Sequence, residues 1–361
     1  MTAQPAMASL DLALRHRLRP AEVLPWLLII ACFFVFPDYK ALGAQVLIMI
    51  LFALSLDLIL GFAGIVTLGH AAFFGTGAYT VGLLAHAGWS EPLSALVVAA
   101  AAAALVGVVS GWIVLRTHGL TLLMLTLATT VMLEQIANEA DTVTGGSDGL
   151  LFDPAPLLGR FDFDLFGQTA YIYAGLVLFL MFVLARRVVY APFGRALIGI
   201  RENVARMHAV GAPVRRTLII IYTISAAMAG VAGALLAQTS QIVALNTLSF
   251  ERSGTVLIML VLGGTGRLYG AFLGAAVYMV LEDRLSVWDP LTLAFKALDW
   301  LTGSRLMAWY SANHSPEYYW PFWIGLVLVL TVLFARRGLL GLLEDAAAAL
   351  ARRFGAAKER P

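Results

Sequence analysis

The chain has 361 residues, 60% of them hydrophobic and 13% charged, with a mean hydropathy of +0.85, a combination that excludes a soluble globular domain of this length and requires a membrane. Its formal net charge of +2 comes from 21 arginines and three lysines against 22 acidic residues, an imbalance too small to point to nucleic acid. A single cysteine, Cys32, rules out an internal disulfide or a cysteine-based metal cluster within one chain.

A hydrocarbon core about 30 Å thick takes roughly 20 apolar residues per helical span. On that measure the chain predicts ten spans, near 23–37, 42–60, 70–88, 92–115, 119–138, 170–186, 216–239, 254–264, 268–286 and 321–335. The first contains Ile29-Ile30-Ala31-Cys32, which looks like a lipoprotein cleavage box. The apolar run continues through Phe33 to Phe36, so an uncleaved span is expected. The eighth is too short to cross alone and reads as a crossing or a re-entrant helix, so the count lies between eight and ten. The expected fold class is all-α, a polytopic membrane helix bundle.

Arginine positions set the orientation, because basic loops are retained in the cytoplasm. Arg15, Arg17 and Arg19 precede the first span, Arg116 follows the fourth, seven arginines lie between Arg186 and Arg216, and Arg336, Arg337, Arg352 and Arg353 follow the last. With ten spans these assignments alternate correctly and place both termini in the cytoplasm. The stretch from Glu139 to Asp164 carries five aspartates against Arg160 alone, as an external loop does. The predicted organisation is an N-terminal extension over 1–22, a transmembrane domain over 23–337 and a cytoplasmic tail over 338–361. Within the domain, the aromatic segment near 287–320 falls outside the cell, where it suits an amphipathic interfacial helix.

Between the second and third spans, Gly61, Gly64 and Gly69 cluster with Thr67. Two readings fit: a plain cytoplasmic turn, which the charge-derived topology favours, or a helix broken within the membrane whose freed backbone groups meet a zwitterionic solute. Asp57, deeper in the second span, is placed for a structural pair or a solute path. His70 reads as a hydrogen-bonded structural residue, because no second histidine or carboxylate sits at metal spacing. In the fifth span Thr126, Thr130, Glu134 and Asn138 recur every four residues and form one polar stripe. Glu134 either borders a path or rests at the headgroup boundary.

The segment from Pro192 to Pro213 is bounded by helix-stopping residues and predicts one short cytoplasmic helix. Leu197, Ile200, Val204 and Met207 share one face, Arg195 lies elsewhere, and Glu202 and Arg206 are spaced as an i,i+4 pair. Such a helix serves a partner groove or the lipid interface equally well. Gly266, Gly270 and Gly274, like Ala229, Gly233 and Ala237, recur every four residues as close-packing helices require. No lysine follows a glycine, so the phosphate-binding loop is absent, and neither a His-Glu-x2-His zinc site nor a Gly-x-Ser-x-Gly nucleophile turn occurs. The chain is therefore read as a transport component and not an enzyme.

Four separated motifs, Leu56 to Phe74, Thr144 to Leu150, Pro192 to Pro213 and Val256 to Gly266, together resemble the LivM-type permeases of branched-chain amino acid importers of the ABC class. The resemblance runs from about Leu42 to Ser286 and resumes with Gly338 to Leu342. It implies that Gly194–Gly211 is the coupling helix that docks on the ATPase, with Arg195, Leu197, Ile200, Arg201, Glu202, Asn203, Val204, Arg206, Met207, Ala209 and Gly211 as its residues. Glu202, Ala205, Ala209 and Gly211 form a loose version of the importers' Glu-Ala-Ala…Gly loop. The path residues expected alongside it are Asp57, Gly61, Gly64, Thr67, Thr126, Thr130, Glu134 and Asn138.

The implied assembly, in a bacterial inner membrane, adds a homologous LivH-like permease subunit, two cytoplasmic LivG- and LivF-like ATPases and a periplasmic solute-binding protein. ATP and Mg²⁺ would sit on the ATPases, with no cofactor on this chain. Urea, short amides or other amino acids are alternative cargoes of that class, and an ion-coupled secondary transporter or channel is the rival from another. The long N-terminus and the segment near 287–318 depart from the family pattern without touching its motifs.

Overall fold

The structure is a computed structural model that describes residues 20–153, 156, 167–287, 320–335 and 338–345. Most of the predicted N-terminal extension, the later part of the acidic loop, the aromatic segment over 288–319 and the end of the tail lie outside the described residues. The chain divides into two compact units, Met1–Ser253 and Gly254–Pro361.

All ten predicted apolar runs are helical. In the first unit the long helices are α1 (Leu24–Val35), α2 (Lys40–Asp57), α3 (His70–His86), α4 (Pro92–Val114), α5 (Leu120–Glu139) and α6 (Gln168–Tyr190). Two short helices, α7 (Pro192–Glu202) and α8 (Val204–Ala209), lead into α9 (Val214–Ser240). A two-residue strand β1 (Leu150–Leu151) pairs antiparallel with β2 (Ile242–Val243) in the register Leu150↔Val243. Among the described residues five helices can cross a membrane by length and composition, those over Pro37–Phe62, Pro92–Val114, Leu120–Glu139, Gln168–Tyr190 and Val214–Ser240, or six if the bent pair Phe250–Gly263 and Leu268–Leu285 makes one crossing. α3, with 17 residues, sits at the lower limit for a crossing.

α2 is the central post of the first unit. Its most apolar window is 83% buried, whereas those of α4 and α5 are 28% and 22% buried and turn apolar side chains outward. A helix that is apolar all round and covered all round belongs at the centre of a bundle. α9 packs against α4, α3 and α2 through small residues. A methyl group at Gly77 would overlap Gly230, one at Gly233 would overlap the carbonyl of Phe74, and one at Gly107 would lie 2.6 Å from the Ala226 Cβ. The predicted Ala229-x3-Gly233-x3-Ala237 seam is thus a packing device, and the neighbouring Gly77, Gly107 and Gly230 extend it.

The second unit holds α10 (Phe250–Gly263, whose first four residues belong to the first unit), α11 (Leu268–Val287) and α12 (Trp320–Phe334). α10 and α11 are bent by 115° about the turn 264–267, so the eighth run and the ninth form a hairpin-like pair and not one straight span. Gly263, Gly270 and Gly274 bring the two arms into backbone contact, and Gly338 lies against Gly264. An ion pair from Arg267 Nη1 to Glu344 Oε2 at 2.8 Å ties the turn to the helical stretch 338–345.

Candidate functional site

The centre of the first unit is polar where α2 ends. Asp57 is fully buried, and the helical ladder then slips into a π turn over Leu58–Phe62, a feature often found at working sites. Ile65 N donates to Ile59 O at 2.9 Å, and Gly64 takes a left-handed φ of +74° that lets the chain turn back. Thr67 Oγ1 accepts from Gly69 N at 3.0 Å, and Leu68 N donates to Thr126 Oγ1 of α5 at 3.2 Å. Gly69 has no room for a side chain, since an added Cβ would lie 2.6 Å from Thr126 O.

At the start of α3, His70 stacks on Phe52 and its Nε2 lies 2.8 Å from Ser55 Oγ. The Ser55 hydroxyl donates to Phe52 O at 2.6 Å, so it receives the imidazole proton from Nε2. Ser225 of α9 donates to Ser55 O at 2.5 Å. His70 is the structural residue the sequence indicated. Ser55 and Ser225 escaped the sequence reading, because single serines inside long apolar runs give no periodic signal.

The connection from α9 to α10 does not stay at the surface. Val243 lies beside Gly82, Leu248 presses on Gly75, and Ser253 Oγ accepts from Ala71 N at 2.8 Å. The chain from 243 to 253 therefore runs antiparallel alongside α3 for about 16 Å, at 1.5 Å per helical residue. Its part before α10, residues 243–249, is not α-helical, and such backbone at that depth is tolerated only when protein buries it or it lines a water-filled cavity. Thr247 and Leu248 are buried here, whereas Asn246 and Phe250 are exposed. Nothing in the sequence reading, which began the eighth span at 254, anticipated this descent.

The four polar residues of α5 do not share one environment. Thr126 and Thr130 are buried, Glu134 is half-buried and Asn138 is exposed. Thr126 Oγ1 also donates to Leu123 O at 2.9 Å, so this threonine latches the 63–69 connection to α5. Glu134 interacts electrostatically with the Tyr79 hydroxyl of α3, which is buried without a hydrogen-bond partner among the described residues.

On the arginine-rich side, the single predicted helix is two. The backbone of Asn203 is extended (φ −159°, ψ 99°), and its side chain accepts from Arg206 N at 2.8 Å as the N-cap of α8. The break interrupts the predicted apolar face: Leu197 and Ile200 are buried, Val204 is exposed and Met207 is half-buried, with its Sδ against Gly199. It also falls between Glu202 and Arg206, and no ion pair joins them among the described residues.

Arg195, Glu202, Asn203, Arg206, Ala209 and Gly211 are exposed, together with Ile198, Val204 and Val210. Arg201 is exposed as well, but its guanidinium turns back on its own bundle. Its Nη1 donates to Gly61 O at the π turn, and a Cβ at Gly64 would lie 2.9 Å from its Cγ. The glycine cluster therefore faces α7, as a turn on the arginine-rich side would, while Thr67 and Gly69 at its far end reach α5. Residues predicted as path and residues predicted as coupling helix meet at this point.

A family model described as branched-chain amino acid transport system / permease component matches residues 41–332. The high-affinity branched-chain amino acid transport system permease protein LivM of Escherichia coli (strain K12) is 29% identical over 269 residues, covering 68% of this chain and 63% of that protein. LivM of Salmonella typhimurium (strain LT2) is 29% identical over 279 residues, covering 70% of this chain and 64% of its own length. A probable branched-chain amino acid transport permease protein LivM of Methanocaldococcus jannaschii is 29% identical over 122 residues, or 33% of this chain and 35% of that one. The chain thus spans a little under two thirds of the length of the two bacterial relatives. No solved structure matches it.

Proposed function

The chain belongs to the family of branched-chain amino acid transport system permease components, and from that premise we propose that it is one membrane-spanning permease subunit of an ATP-driven importer for leucine, isoleucine and valine. The observation that carries the mechanism is the hydrogen bond from Arg201 of α7 to Gly61 O at the π turn of α2. It joins an exposed helix pair, suited to a partner, to a bent and irregular part of the bundle interior.

In this reading α7 and α8 dock on a cytoplasmic ATPase through Arg195, Glu202, Arg206 and the exposed Ile198, Val204 and Val210. ATP and Mg²⁺ bind on two such ATPase subunits, whose closure on ATP displaces the helix pair. Arg201 passes that displacement to residues 58–69. From there it reaches α5 through Leu68 and Thr126, and α3 through His70. Ala71, one residue further on, holds Ser253 and with it the descending segment 243–253, so one movement reaches several walls of the bundle. A second, homologous permease subunit completes the path, and a periplasmic solute-binding protein delivers the amino acid and sets most of the selectivity.

The test is uptake of labelled leucine into proteoliposomes holding this chain with its partner permease, ATPases and binding protein. ATP-dependent uptake that isoleucine and valine block, and urea does not, is the expected result. ATP-dependent uptake of urea instead would keep the mechanism and overturn the cargo. Uptake by this chain alone, driven by an ion gradient, would make it a secondary transporter.

A further inference from the structure

We propose that Arg116 and Arg215, gathered on Trp112 where α4 ends and α9 begins, bind the phosphate headgroup of an anionic phospholipid. The Arg116 guanidinium carbon lies 4.0 Å from the centroid of the Trp112 ring and that of Arg215 lies 5.8 Å from it. Arg215 Nη2 also donates to Trp112 O at 3.1 Å. Two cations are thus held on one ring at a helix end. Arg216 and His118 are exposed beside them in the chain.

No carboxylate of the neighbouring chain neutralises this charge. There is no Asp or Glu between Glu91 and Glu134, nor between Glu202 and Glu251, the stretches that supply both arginines. Among the described residues no ion pair involves Arg116 or Arg215. Two convergent guanidiniums without a counter-ion repel each other unless an anion joins them, and the planar donors of arginine suit phosphate oxygens.

The membrane side of the cluster identifies the source of that phosphate. Val97, Leu105, Val109 and Ile113 are exposed at helical spacing on α4 and lead to Trp112, itself 54% exposed, and then to Arg116. The buried residues Ala99, Ala103, Gly107 and Val114 lie on other faces of the same helix. An apolar stripe ending in an interfacial tryptophan and two arginines matches a lipid: acyl chain along α4, glycerol beside the indole, phosphate between the guanidiniums. The proposal depends on α4 and α9 standing in the bilayer and is independent of which solute is carried.

Native mass spectrometry of the purified full chain, titrated with palmitoyl-oleoyl phosphatidylglycerol or the matched phosphatidylcholine, tests it. Phosphatidylglycerol is expected to bind preferentially. Arg116→Gln with Arg215→Gln should weaken it by at least about tenfold, given the contribution of each basic residue near a charged bilayer surface. The corresponding double lysine variant should keep most of the preference, and Arg195→Gln with Arg206→Gln should leave it unchanged. If the double glutamine variant is not monodisperse, Arg116→Gln alone carries the test with an expected loss of about fivefold, because its side chain donates no hydrogen bond among the described residues.

Equal binding of the two lipids would overturn the proposal, as would an equal loss from the Arg195 and Arg206 control. Displacement of the lipid by millimolar glycerol phosphate would mark a site for a free anion instead. Unchanged lipid binding with loss of co-purifying ATPase would mark a protein contact.

Discussion

Arg201 is the residue on which the proposed coupling turns, and its chemistry makes the claim testable. A guanidinium bonded to a backbone carbonyl is a charge-assisted hydrogen bond, worth about 1.5–3 kcal/mol. Arg201→Gln removes the charge and shortens the reach to Gly61 O, while the exposed docking residues Arg195, Glu202 and Arg206 stay in place. The expected phenotype is uncoupling: ATPase subunits remain bound and hydrolyse ATP, and leucine uptake falls about tenfold, the effect of losing roughly 1.4 kcal/mol from the coupled step. Uptake within twofold of wild type would show that the bond transmits nothing. The Ser55 hydroxyl plays a different part, since it joins α2 to α3 inside the bundle, while the backbone carbonyl of the same residue accepts from Ser225 of α9. Ser55→Ala leaves the His70 Nε2 proton buried without its acceptor, at a cost of about 1–3 kcal/mol. We expect a lower thermal midpoint for the detergent-solubilised chain and little change in which solute is carried. An unchanged midpoint would mean that His70 finds another acceptor.

Helix against helix, the first unit depends on backbones brought within reach of each other. Gly233 of α9 meets the Phe74 carbonyl of α3, and a carbonyl in a helix ladder has no freedom to yield. Gly233→Leu should therefore exceed the usual 1–3 kcal/mol of overpacking and abolish accumulation of the chain in membranes. Gly254→Ala, where nothing lies within 4 Å, should be tolerated. Equal accumulation of the two variants would refute the seam. This scale also separates what the sequence displays from what it hides. Apolar run length placed every described long helix, because the bilayer imposes length and apolarity directly on composition. The break at Asn203 stayed hidden because Glu-Asn-Val-Ala-Arg has no proline or glycine, and an asparagine that caps α8 is a plausible mid-helix residue until its backbone is seen. The α5 stripe was misjudged for a geometric reason. Residues four apart advance about 40° beyond a full turn, so Thr126 and Asn138 point about 120° apart. One end of the row is consequently buried and the other exposed. The descent of 243–253 along α3 left no trace, because a short connection that mixes apolar and polar residues looks the same whether it crosses a surface or enters a bundle.

For the molecule as a whole, the proposed function requires that α7 and α8 face the compartment that holds ATP. The arginine distribution assigns that side to the cytoplasm, and the exposed acidic positions Glu91 and Asp148 to the opposite one. In a Cys32→Ser background, Glu91→Cys and Asp148→Cys should react with a membrane-impermeant maleimide added to spheroplasts. Arg195→Cys and His208→Cys should react only after permeabilisation. Both sets lie on exposed residues, so a failure to label reflects sidedness and not burial. The reverse pattern would place α7 and α8 outside the cell, and no ATPase could then reach them. An importer with that orientation would have to be driven through the β1–β2 end of the bundle, where the described residues beside the two-residue strands form single helical turns, Asp141–Thr144, Gly146–Asp148 and Leu245–Thr247, and no helix pair of the length of α7 and α8. Sidedness is for that reason the condition on which the ATP-driven reading stands, and it can be decided before any partner subunit is in hand.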